Sequence, residues 1–403
     1  RRLMTDLSNV LDSFQPSAIS VIFTLTSRLK EEGRDIIDLS IGEPDFPTPD
    51  HVKQAAIDAI NADFTRYTPV DGISTLKEAI SNKFQRDNNL EYGPDQIVVE
   101  AGAKPLLFHA MQAILNPDDE VILPVPCWAS YTGMVLLAGA KPVPVPCRED
   151  RHFKLQADDL ESAITDQTRL ILLNSPSNPT GAAYNADELK VLTDVLMRHP
   201  QVWIIADDIY EHIVFDNFAF TTPAQIEPAL YDRTLTINGA SKAYSMTGWR
   251  IGYAGGPKKL IAGITKVLSQ SVGNPCSISQ AAAVAALEGP QDYLGERAAL
   301  FKERRDFLVE RLNTFNGLTC HAPEGAFYLF PSCKGLIGGH TPEGATINSS
   351  TDLASYLLES AGVSVVPGAA FEFDPNIRIS YATSMDNLEI ACDRMEQACR
   401  EIT

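Results

Sequence analysis

Four short apolar runs in the sequence are each followed by residues of the kind that bind charged ligands. An amine, Lys242, follows one run, a carboxylate, Asp207, follows another, and a small residue, Gly102, follows a third. Taken singly they have ordinary explanations, because a lysine there usually lies in solvent and an aspartate usually caps a helix or forms a turn. Their repeated position after an apolar run favours one shared site. The four runs are residues 97–99, 170–173, 202–205 and 234–237.

An amine and a carboxylate are two of the groups that pyridoxal 5'-phosphate (PLP) requires of a protein. Lys242 would form a Schiff base with the cofactor aldehyde and then move a substrate proton as general base and general acid. Asp207 would lie opposite the pyridine nitrogen and keep it protonated. A cationic ring would also offset the cost of burying a carboxylate after so apolar a run. We therefore predict that Lys242 and Asp207 are catalytic residues of a PLP site.

The phosphate of PLP requires a cradle of hydrogen-bond donors. The backbone amides of Gly102, Ala103 and Lys104 stand where a helix is predicted to begin, and helix N-termini bind anions. The Arg250 guanidinium and the Ser241 hydroxyl would complete the cradle, the arginine through charge-assisted hydrogen bonds. These five residues are predicted to bind the cofactor.

Apolar runs of this length are typical of strands buried on both faces of a parallel sheet, and helical stretches separate several of them. Ligands of such sheets bind beyond the carboxyl ends of the strands, where the polar turns lie. We predict an α/β fold with a large PLP-binding domain over residues 50–285, built on a mostly parallel sheet. A smaller α+β domain would comprise residues 1–49 and 286–403, with a long helix over 297–315. Further helices are predicted to start at Asp50, as a cap, and at Ser74, and further strands at 121–123, 251–254, 327–330, 363–366 and 377–380.

The composition argues against several classes of protein. The 403 residues include 33 Lys and Arg against 52 Asp and Glu, and the net charge of −19 disfavours nonspecific binding to nucleic acid or to an anionic membrane. No signal peptide and no run of 18 apolar residues is found, so no membrane span is expected. Seven cysteines without a C-x-x-C pair favour reduced thiols in a cytoplasmic protein. The histidines form no ligand cluster, so no metal site is predicted.

Five segments of the chain together resemble the class I and II aminotransferases of PLP fold type I. Within that family the chain looks most like the bacterial aspartate aminotransferase branch, some of whose members also use prephenate. The similarity runs from about residue 15 to the end of the chain. The segments are Gly-Glu-Pro-Asp-Phe-Pro-Thr-Pro (42–49), Asn-Ser-Pro-Ser-Asn-Pro-Thr-Gly (174–181), Asp-Asp-Ile-Tyr-Glu (207–211), Ser-Lys-Ala-Tyr-Ser-Met-Thr-Gly-Trp-Arg (241–250) and Arg-Ile-Ser-Tyr-Ala-Thr-Ser (378–384).

The resemblance implies roles for residues that the chemistry alone does not assign. Tyr210, as a further catalytic residue, and Asn178 would hydrogen-bond the 3-oxygen of the cofactor, and Trp128 would stack on its ring. Arg378 would bind the substrate α-carboxylate as a bidentate fork, which a lysine would not reproduce. Gly42 would let the substrate approach the backbone. Asn178 and Trp128 would also contact the substrate.

The resemblance also implies a substrate class and a subunit arrangement. Ser17 and Lys104 match positions that recognise the distal carboxylate, which implies ping-pong transfer from aspartate or glutamate to a 2-oxo acid such as 2-oxoglutarate or oxaloacetate. Tyr67 would reach the phosphate across a subunit interface, which implies a homodimer with shared active sites. Pro105 and Cys127 depart from the residues usual in this branch, and both bear on the amino donor.

Three alternatives remain open at this stage. The same fold and cofactor could serve an aromatic, prephenate or other amino donor. The same lysine could serve a PLP-dependent lyase that eliminates or decarboxylates. A PLP-binding regulator without turnover is disfavoured, because a sensor has little need of a lysine that moves protons. A panel of amino donors would separate these functions.

Overall fold

A computed structural model of the chain describes residues 7–14 and 18–403. Within this part of the chain, strands and helices alternate from about residue 97 to residue 271. The strands are β1 (Ile37–Asp38), β2 (Ile97–Glu100), β3 (Glu120–Val125), β4 (Lys141–Pro146), β5 (Thr168–Asn174), β6 (Trp203–Asp207), β7 (Thr234–Gly239), β8 (Gly252–Gly255), β9 (Tyr328–Leu329), β10 (Val363–Ser364), β11 (Val366–Pro367) and β12 (Ile377–Ser380).

The α-helices cover both faces of the largest sheet and build most of the C-terminal part. They are α1 (Ala18–Glu31), α2 (Asp50–Asn61), α3 (Ser74–Asn88), α4 (Ala103–Ile114), α5 (Ser130–Leu137), α6 (Ala157–Ala163), α7 (Ala186–Met197), α8 (Pro223–Ile226), α9 (Lys258–Ser271), α10 (Ser277–Glu288), α11 (Asp292–Leu312), α12 (Ser350–Tyr356) and α13 (Met385–Glu401).

Helix α2 begins where its sequence pattern predicts, and it buries Val52 and Ala56 on one face. Asp50, however, is the first residue of the helix and not its cap, so this detail of the prediction was wrong. Pro49 occupies the cap position, and the Asp50 carboxylate pairs with Lys53 at 2.6 Å instead of accepting from helix amides. A carboxylate in the first turn still interacts favourably with the positive end of the helix.

The central sheet has seven strands in the order β2-β8-β7-β6-β5-β3-β4. Six strands run in the same direction, and β8 alone runs antiparallel to its neighbours β2 and β7. This arrangement confirms the predicted α/β fold with a mostly parallel sheet. The register sets Asp207 at the end of β6 beside Asn174 of β5 and Ile237 of β7. The carboxyl ends of four site-bearing strands therefore meet at one edge.

Strand β4 was not predicted from the sequence. Every second residue of this six-residue strand is a proline, at positions 142, 144 and 146. Proline lacks the N–H that an interior strand must donate. The strand lies at the edge of the sheet, where it pairs with β3 alone, so that requirement is relaxed.

The remaining strands form two smaller sheets, β1-β10 and β11-β12-β9. Strands β1, β9, β10 and β12 share a hydrophobic core with α11, α12 and α13, in which Phe301, Leu353 and Leu388 are buried. The predicted boundary at residue 285 lies in the last turn of α10, a helix that packs on α2 and α3. The division into two domains stays a prediction.

Across residues 7–14 and 18–403, no helix is both long and apolar enough to span a membrane. All seven cysteines are free, and Cys276 is the one that is exposed.

Candidate active site

A cavity of about 320 Å³ lies beyond the carboxyl ends of β2, β5, β6 and β7. The turns that follow these strands contribute part of its lining, and residues from the N-terminal and C-terminal parts of the chain contribute the rest. Most of the predicted site residues therefore share one space, as the pattern of apolar runs indicates. Those lining it are Gly42, Ala103, Lys104, Trp128, Asn178, Asp207, Tyr210, Ser241, Lys242, Arg250 and Arg378.

Lys242 lies in the turn after β7, and its Nζ donates a hydrogen bond of 2.5 Å to the carbonyl oxygen of Gly42. Burial, together with the nearby Arg378 and Arg250 cations, lowers the pKa of Lys242 to about 8, although nearby carboxylates act in the opposite direction. An amine with this pKa has a usable unprotonated fraction near neutral pH. The unprotonated form is the one that acts as nucleophile or base.

Asp207 ends β6 and is buried, with 4% of its surface exposed. Its Oδ2 accepts a hydrogen bond of 2.6 Å from the Tyr131 hydroxyl, and its Oδ1 accepts one of 3.4 Å from the Ile209 amide. Burial raises the pKa of Asp207, whereas the Tyr131 hydrogen bond and the Lys242 charge lower it, and the net shift is upward. A carboxylate in this position would be stabilised by a cationic partner.

The turn before α4 is shaped to hold an anion. Gly102 has a φ of +108°, and a β-carbon there would collide with the Arg250 guanidinium. A β-carbon at Gly252, on the adjacent strand, would collide with the backbone of Gly102 and Ala103. Glycine is therefore required at position 252 by close approach to the backbone, and it is favoured at position 102 by the positive φ. The amides of Ala103 and Lys104, in the first turn of the twelve-residue helix α4, follow directly on this contact between Gly102 and Arg250, whereas the Gly102 amide donates to the Glu100 carbonyl at 2.7 Å.

Lys104 and Trp128 form one wall of the cavity. The Lys104 Nζ lies 5.0 Å from the centre of the Trp128 ring, within the range of a cation–π contact. Burial lowers the pKa of Lys104, and the Arg250 cation adds to the effect. The wall therefore combines an aromatic face with a positive charge.

Arg378, on β12, is almost fully buried with its guanidinium facing the cavity. It donates hydrogen bonds of 3.0 Å to the Asn178 Oδ1 and 2.6 Å to the Ser40 carbonyl. The ring of Tyr328 lies 4.6 Å from the guanidinium carbon, and the Arg378 Nε has no hydrogen-bond partner among the described residues. A buried cation bonded to neutral oxygens is suited to a substrate carboxylate.

Tyr210 and Asn178 line the same cavity as Asp207 and Arg378. The Tyr210 hydroxyl is 2.8 Å from the Tyr328 hydroxyl, and burial holds the pKa of Tyr210 well above its usual value. The Asn178 amide donates to the Asn174 side chain, which in turn donates to the Asp207 carbonyl. The two turns are thus fixed to one another.

Comparisons with known proteins agree with this geometry. The family model described as aminotransferase class I and II matches residues 34–395. The chain belongs to the class I and II aminotransferases. An aspartate/prephenate aminotransferase of Cereibacter sphaeroides is 54% identical to it over 98% of this chain and 99% of that protein.

Solved structures resemble this aminotransferase along nearly its whole length. The aspartate aminotransferase of Rhizobium meliloti superposes with a TM-score of 0.96 at 53% identity, covering 99% of this chain and 100% of that one. The aspartate aminotransferase of Thermus thermophilus, solved with maleate, gives a TM-score of 0.91 at 38% identity and covers 98% and 100% of the two chains. The predicted family and fold type are confirmed.

The family is PLP-dependent, and the cavity of this aminotransferase fits that cofactor. Asp207 is buried with a tyrosine hydroxyl and a distant amide as its hydrogen-bond partners, so a protonated pyridine nitrogen would supply the missing positive charge. The Gly102 turn and Arg250 provide donors for a phosphate, at a position where a side chain on residue 102 would not fit. Lys242 places an amine in the same cavity.

Three predicted site residues are not among those that line this cavity. Gly102 lies in the turn before α4, next to the lining residue Ala103. Tyr67 is 99% exposed and does not line it, so its predicted role in a neighbouring subunit's site stays a prediction. Ser17 lies outside the described residues.

Several lining residues were not found from the sequence. Tyr131 and Tyr328 were missed because each occurs in an apolar stretch that indicates core packing. Glu43 and Ile19 also line the cavity, and Glu43 accepts a hydrogen bond of 2.7 Å from the Thr247 hydroxyl. Glu43 lies beside Gly42 in a quoted segment, and that adjacency was the available signal.

One group of potential metal ligands occurs among the described residues, formed by Asp87, Glu211 and His212. Lys83 is fully buried beside it and forms an ion pair with Glu211. Its ammonium group thus supplies the positive charge at this carboxylate.

Proposed function

We propose that this aminotransferase binds PLP through Lys242 and transfers the amino group of aspartate or glutamate to a 2-oxo acid, such as 2-oxoglutarate or oxaloacetate, by a ping-pong mechanism. The observation that carries the proposal is the presence of Lys242, Asp207 and Arg378 in one cavity. An amine, a buried carboxylate and a buried guanidinium meet three different requirements of this reaction, and a purely structural cluster would pair the charges with each other.

The proposed cofactor site uses the turns after the strands. Asp207 would pair with the ring nitrogen, and the amides of Gly102, Ala103 and Lys104 would bind the phosphate together with Ser241 and Arg250, both of which line the same cavity. Trp128 would cover one face of the ring, and Tyr210 and Asn178 would hydrogen-bond the 3-oxygen. When bound, PLP supplies an electron-withdrawing ring that stabilises negative charge at the substrate α-carbon.

The residues of the chain would then orient the substrate and move its proton. Arg378 would hold the α-carboxylate, since its neighbours Asn178 and Ser40 offer neutral oxygens and leave its charge unpaired. Lys242 would take the proton from the substrate α-carbon and deliver it to the cofactor. Its pKa of about 8 suits both steps near neutral pH, because a general base is most effective when its pKa is close to the working pH.

The proposal of an acidic substrate is supported by the positive charge on the cavity wall that Lys104 and Trp128 form. Lys104 places an ammonium group beside Trp128, where a distal carboxylate could pair with it. The Thermus relative was solved with maleate, a four-carbon dicarboxylate. By the resemblance, Ser17 would bind the same carboxylate.

A second candidate donor is the aminated form of prephenate. The Cereibacter relative is called an aspartate/prephenate aminotransferase, and prephenate also carries a second, remote carboxylate. Ile19, Leu107 and Trp128 give the cavity apolar surface that a ring could contact. A lyase of the same fold remains the third candidate.

The test is a panel of amino donors added to the purified holoenzyme without an acceptor. Aspartate and glutamate should convert the bound cofactor from its yellow form to the pyridoxamine form, and 2-oxoglutarate should restore the yellow colour. Conversion by aromatic donors alone would reject the acidic substrate. Release of ammonia or carbon dioxide would show a lyase. Lys242→Ala should abolish every conversion.

We also propose that the aminotransferase is a homodimer. Exposed apolar side chains follow one another along a short part of the chain, at Ile57, Ile60, Phe64 and Tyr67, and such surfaces are typical of protein interfaces. Tyr67 would reach the phosphate of the neighbouring site. Sedimentation equilibrium should give twice the chain mass, and Tyr67→Phe should weaken PLP binding. A monomer that binds PLP with full affinity would contradict the proposal.

A further inference from the structure

Tyr131 lines the cavity of the proposed cofactor site and was not assigned a role from the sequence. It stands in the first turn of α5 and is 1% exposed. Its hydroxyl donates a hydrogen bond of 2.6 Å to the Oδ2 of Asp207. The other oxygen, Oδ1, has the Ile209 amide at 3.4 Å as its hydrogen-bond donor. Tyr131 is therefore the closest donor to this carboxylate among the described residues.

The hydrogen bond acts against the effect of burial. Removal of Asp207 from water favours its neutral form, and the hydrogen bond from Tyr131 favours the carboxylate. Burial beside that carboxylate also holds the pKa of Tyr131 well above its usual value, so the hydroxyl keeps its proton and remains the donor. The arrangement keeps a negative charge available in a buried position.

Tyr131 is also linked to the wall that would cover the ring. Its backbone amide donates to the carbonyl of Trp128 at 3.0 Å. The two rings pack edge to face, with centroids 5.4 Å apart and planes at 89°. Any shift of Tyr131 would move both the Trp128 ring and the donor to Asp207. One residue thus connects two groups that would contact the cofactor.

We propose that Tyr131 is a positioning residue, whose hydroxyl holds the Asp207 carboxylate in the orientation and charge state that pairs with the ring nitrogen of PLP. This inference rests on the proposed function. It assigns Tyr131 no direct contact with the substrate, and it predicts an effect that depends on the ring nitrogen. A tyrosine that merely fills the core would have no such dependence.

The first test measures the affinity of the apoenzyme for PLP and for 1-deaza-PLP, in which a C–H group replaces the ring nitrogen. Tyr131→Phe should weaken PLP binding by about tenfold or more, as expected for a hydrogen bond to a charged group. It should change binding of the deaza analogue by about twofold at most, since the analogue offers Asp207 no proton. Equal loss for both ligands, or no loss for either, overturns the proposal.

The control is Tyr356→Phe. The Tyr356 hydroxyl is also largely buried and donates to the carbonyl of Ala398 at 3.2 Å, and it does not line the cavity. This variant should bind both ligands as the wild type does. Failure of the wild type to bind PLP would reject the proposed function itself, whereas equal loss of both ligands in Tyr131→Phe rejects the role of Tyr131 alone.

A second measurement follows the ring nitrogen directly. In the holoenzyme loaded with PLP labelled with ¹⁵N in the ring, the resonance reports protonation of that nitrogen. The pH at which the nitrogen loses its proton should fall by about one unit in Tyr131→Phe, which corresponds to a tenfold loss of proton affinity. Tyr131→His, which restores a donor, should recover part of the shift. An unchanged midpoint in Tyr131→Phe overturns the proposal.

Discussion

The buried ion pair between Lys83 and Glu211 links the helix α3 to the turn that carries the proposed catalytic residues. Lys83 is 0% exposed and Glu211 4%. The Lys83 Nζ also donates to the Asn88 Oδ1 at 2.7 Å, and Asn88 donates to the Glu211 Oε2 at 2.7 Å. Asn238, at the end of β7, donates to the Glu211 Oε1 at 2.8 Å. The pair therefore ties α3 and the turn after β6 to the end of β7.

We predict that Lys83→Met destabilises the protein by about 3–5 kcal/mol, the range for removing one partner of a buried pair. Burial alone would raise the pKa of Glu211, but Lys83, His212 and Asn88 together hold it below its usual value. Loss of Lys83 removes the main cation and leaves a buried carboxylate with amide donors. The double variant Lys83→Met/Glu211→Gln should be less damaging than the sum of the two single variants.

The assay is urea unfolding of the holoenzyme at fixed protein and PLP concentrations, because both affect apparent stability. Lys190→Met is the control, since Lys190 pairs with Asp194 on the exposed surface of α7 and solvent-exposed pairs contribute little to stability. A loss in Lys83→Met no larger than in Lys190→Met would refute the reasoning. So would a double variant equal to the sum of the singles.

Three further predictions concern other buried groups. Burial raises the pKa of Glu100 to about 8, so the folded protein retains a proton there that the unfolded chain, with a pKa of about 4.3, gives up. The contribution of this proton to the free energy of unfolding is fully present below the unfolded pKa and is lost as the pH rises to about 8, by up to ~1.4 kcal/mol per pH unit. Glu100→Gln should therefore flatten the pH dependence of urea unfolding, and an unchanged pH profile would contradict this assignment of the Glu100 proton. Arg378→Lys should lower kcat/KM for every amino donor by about tenfold to a hundredfold through loss of the fork, and unchanged steady-state kinetics would contradict the assigned role. Gly102→Ala should weaken PLP binding by at least about tenfold, because the methyl group collides with Arg250 and φ there is +108°; equal PLP affinity in a fluorescence titration would argue against the cradle.

The sequence was sufficient to predict most strands of the central sheet and the turns that carry the site. The apolar runs before Gly102, Asp207 and Lys242 are strands, and their carboxyl ends meet because six strands of the sheet run in one direction. This inference was possible because a parallel sheet fixes where its turns lie. Strand β4 could not be found in the same way, since its prolines are allowed only by its edge position.

Contacts between distant segments were beyond prediction from one sequence. Tyr131 is separated from Asp207 by 76 positions, and its apolar surroundings indicate a core residue. Lys83 falls on the apolar face of α3 with Ala79 and Ile80, but the carboxylate that pairs with it, Glu211, lies 128 positions further on (211 − 83). Periodicity identifies the buried face of a helix, but it does not identify which charge on that face has a partner.

The central claim is that Lys242 carries the cofactor, and a peptide map tests it most directly. The holoenzyme is treated with borohydride, which makes an amine-linked cofactor permanent, and then digested and analysed by mass spectrometry. Lys104 is the natural rival, because it lines the same cavity and burial lowers its pKa as well. The account predicts that the added phosphopyridoxyl mass is found on Lys242. Its presence on Lys104, or its absence from both residues, would contradict the account.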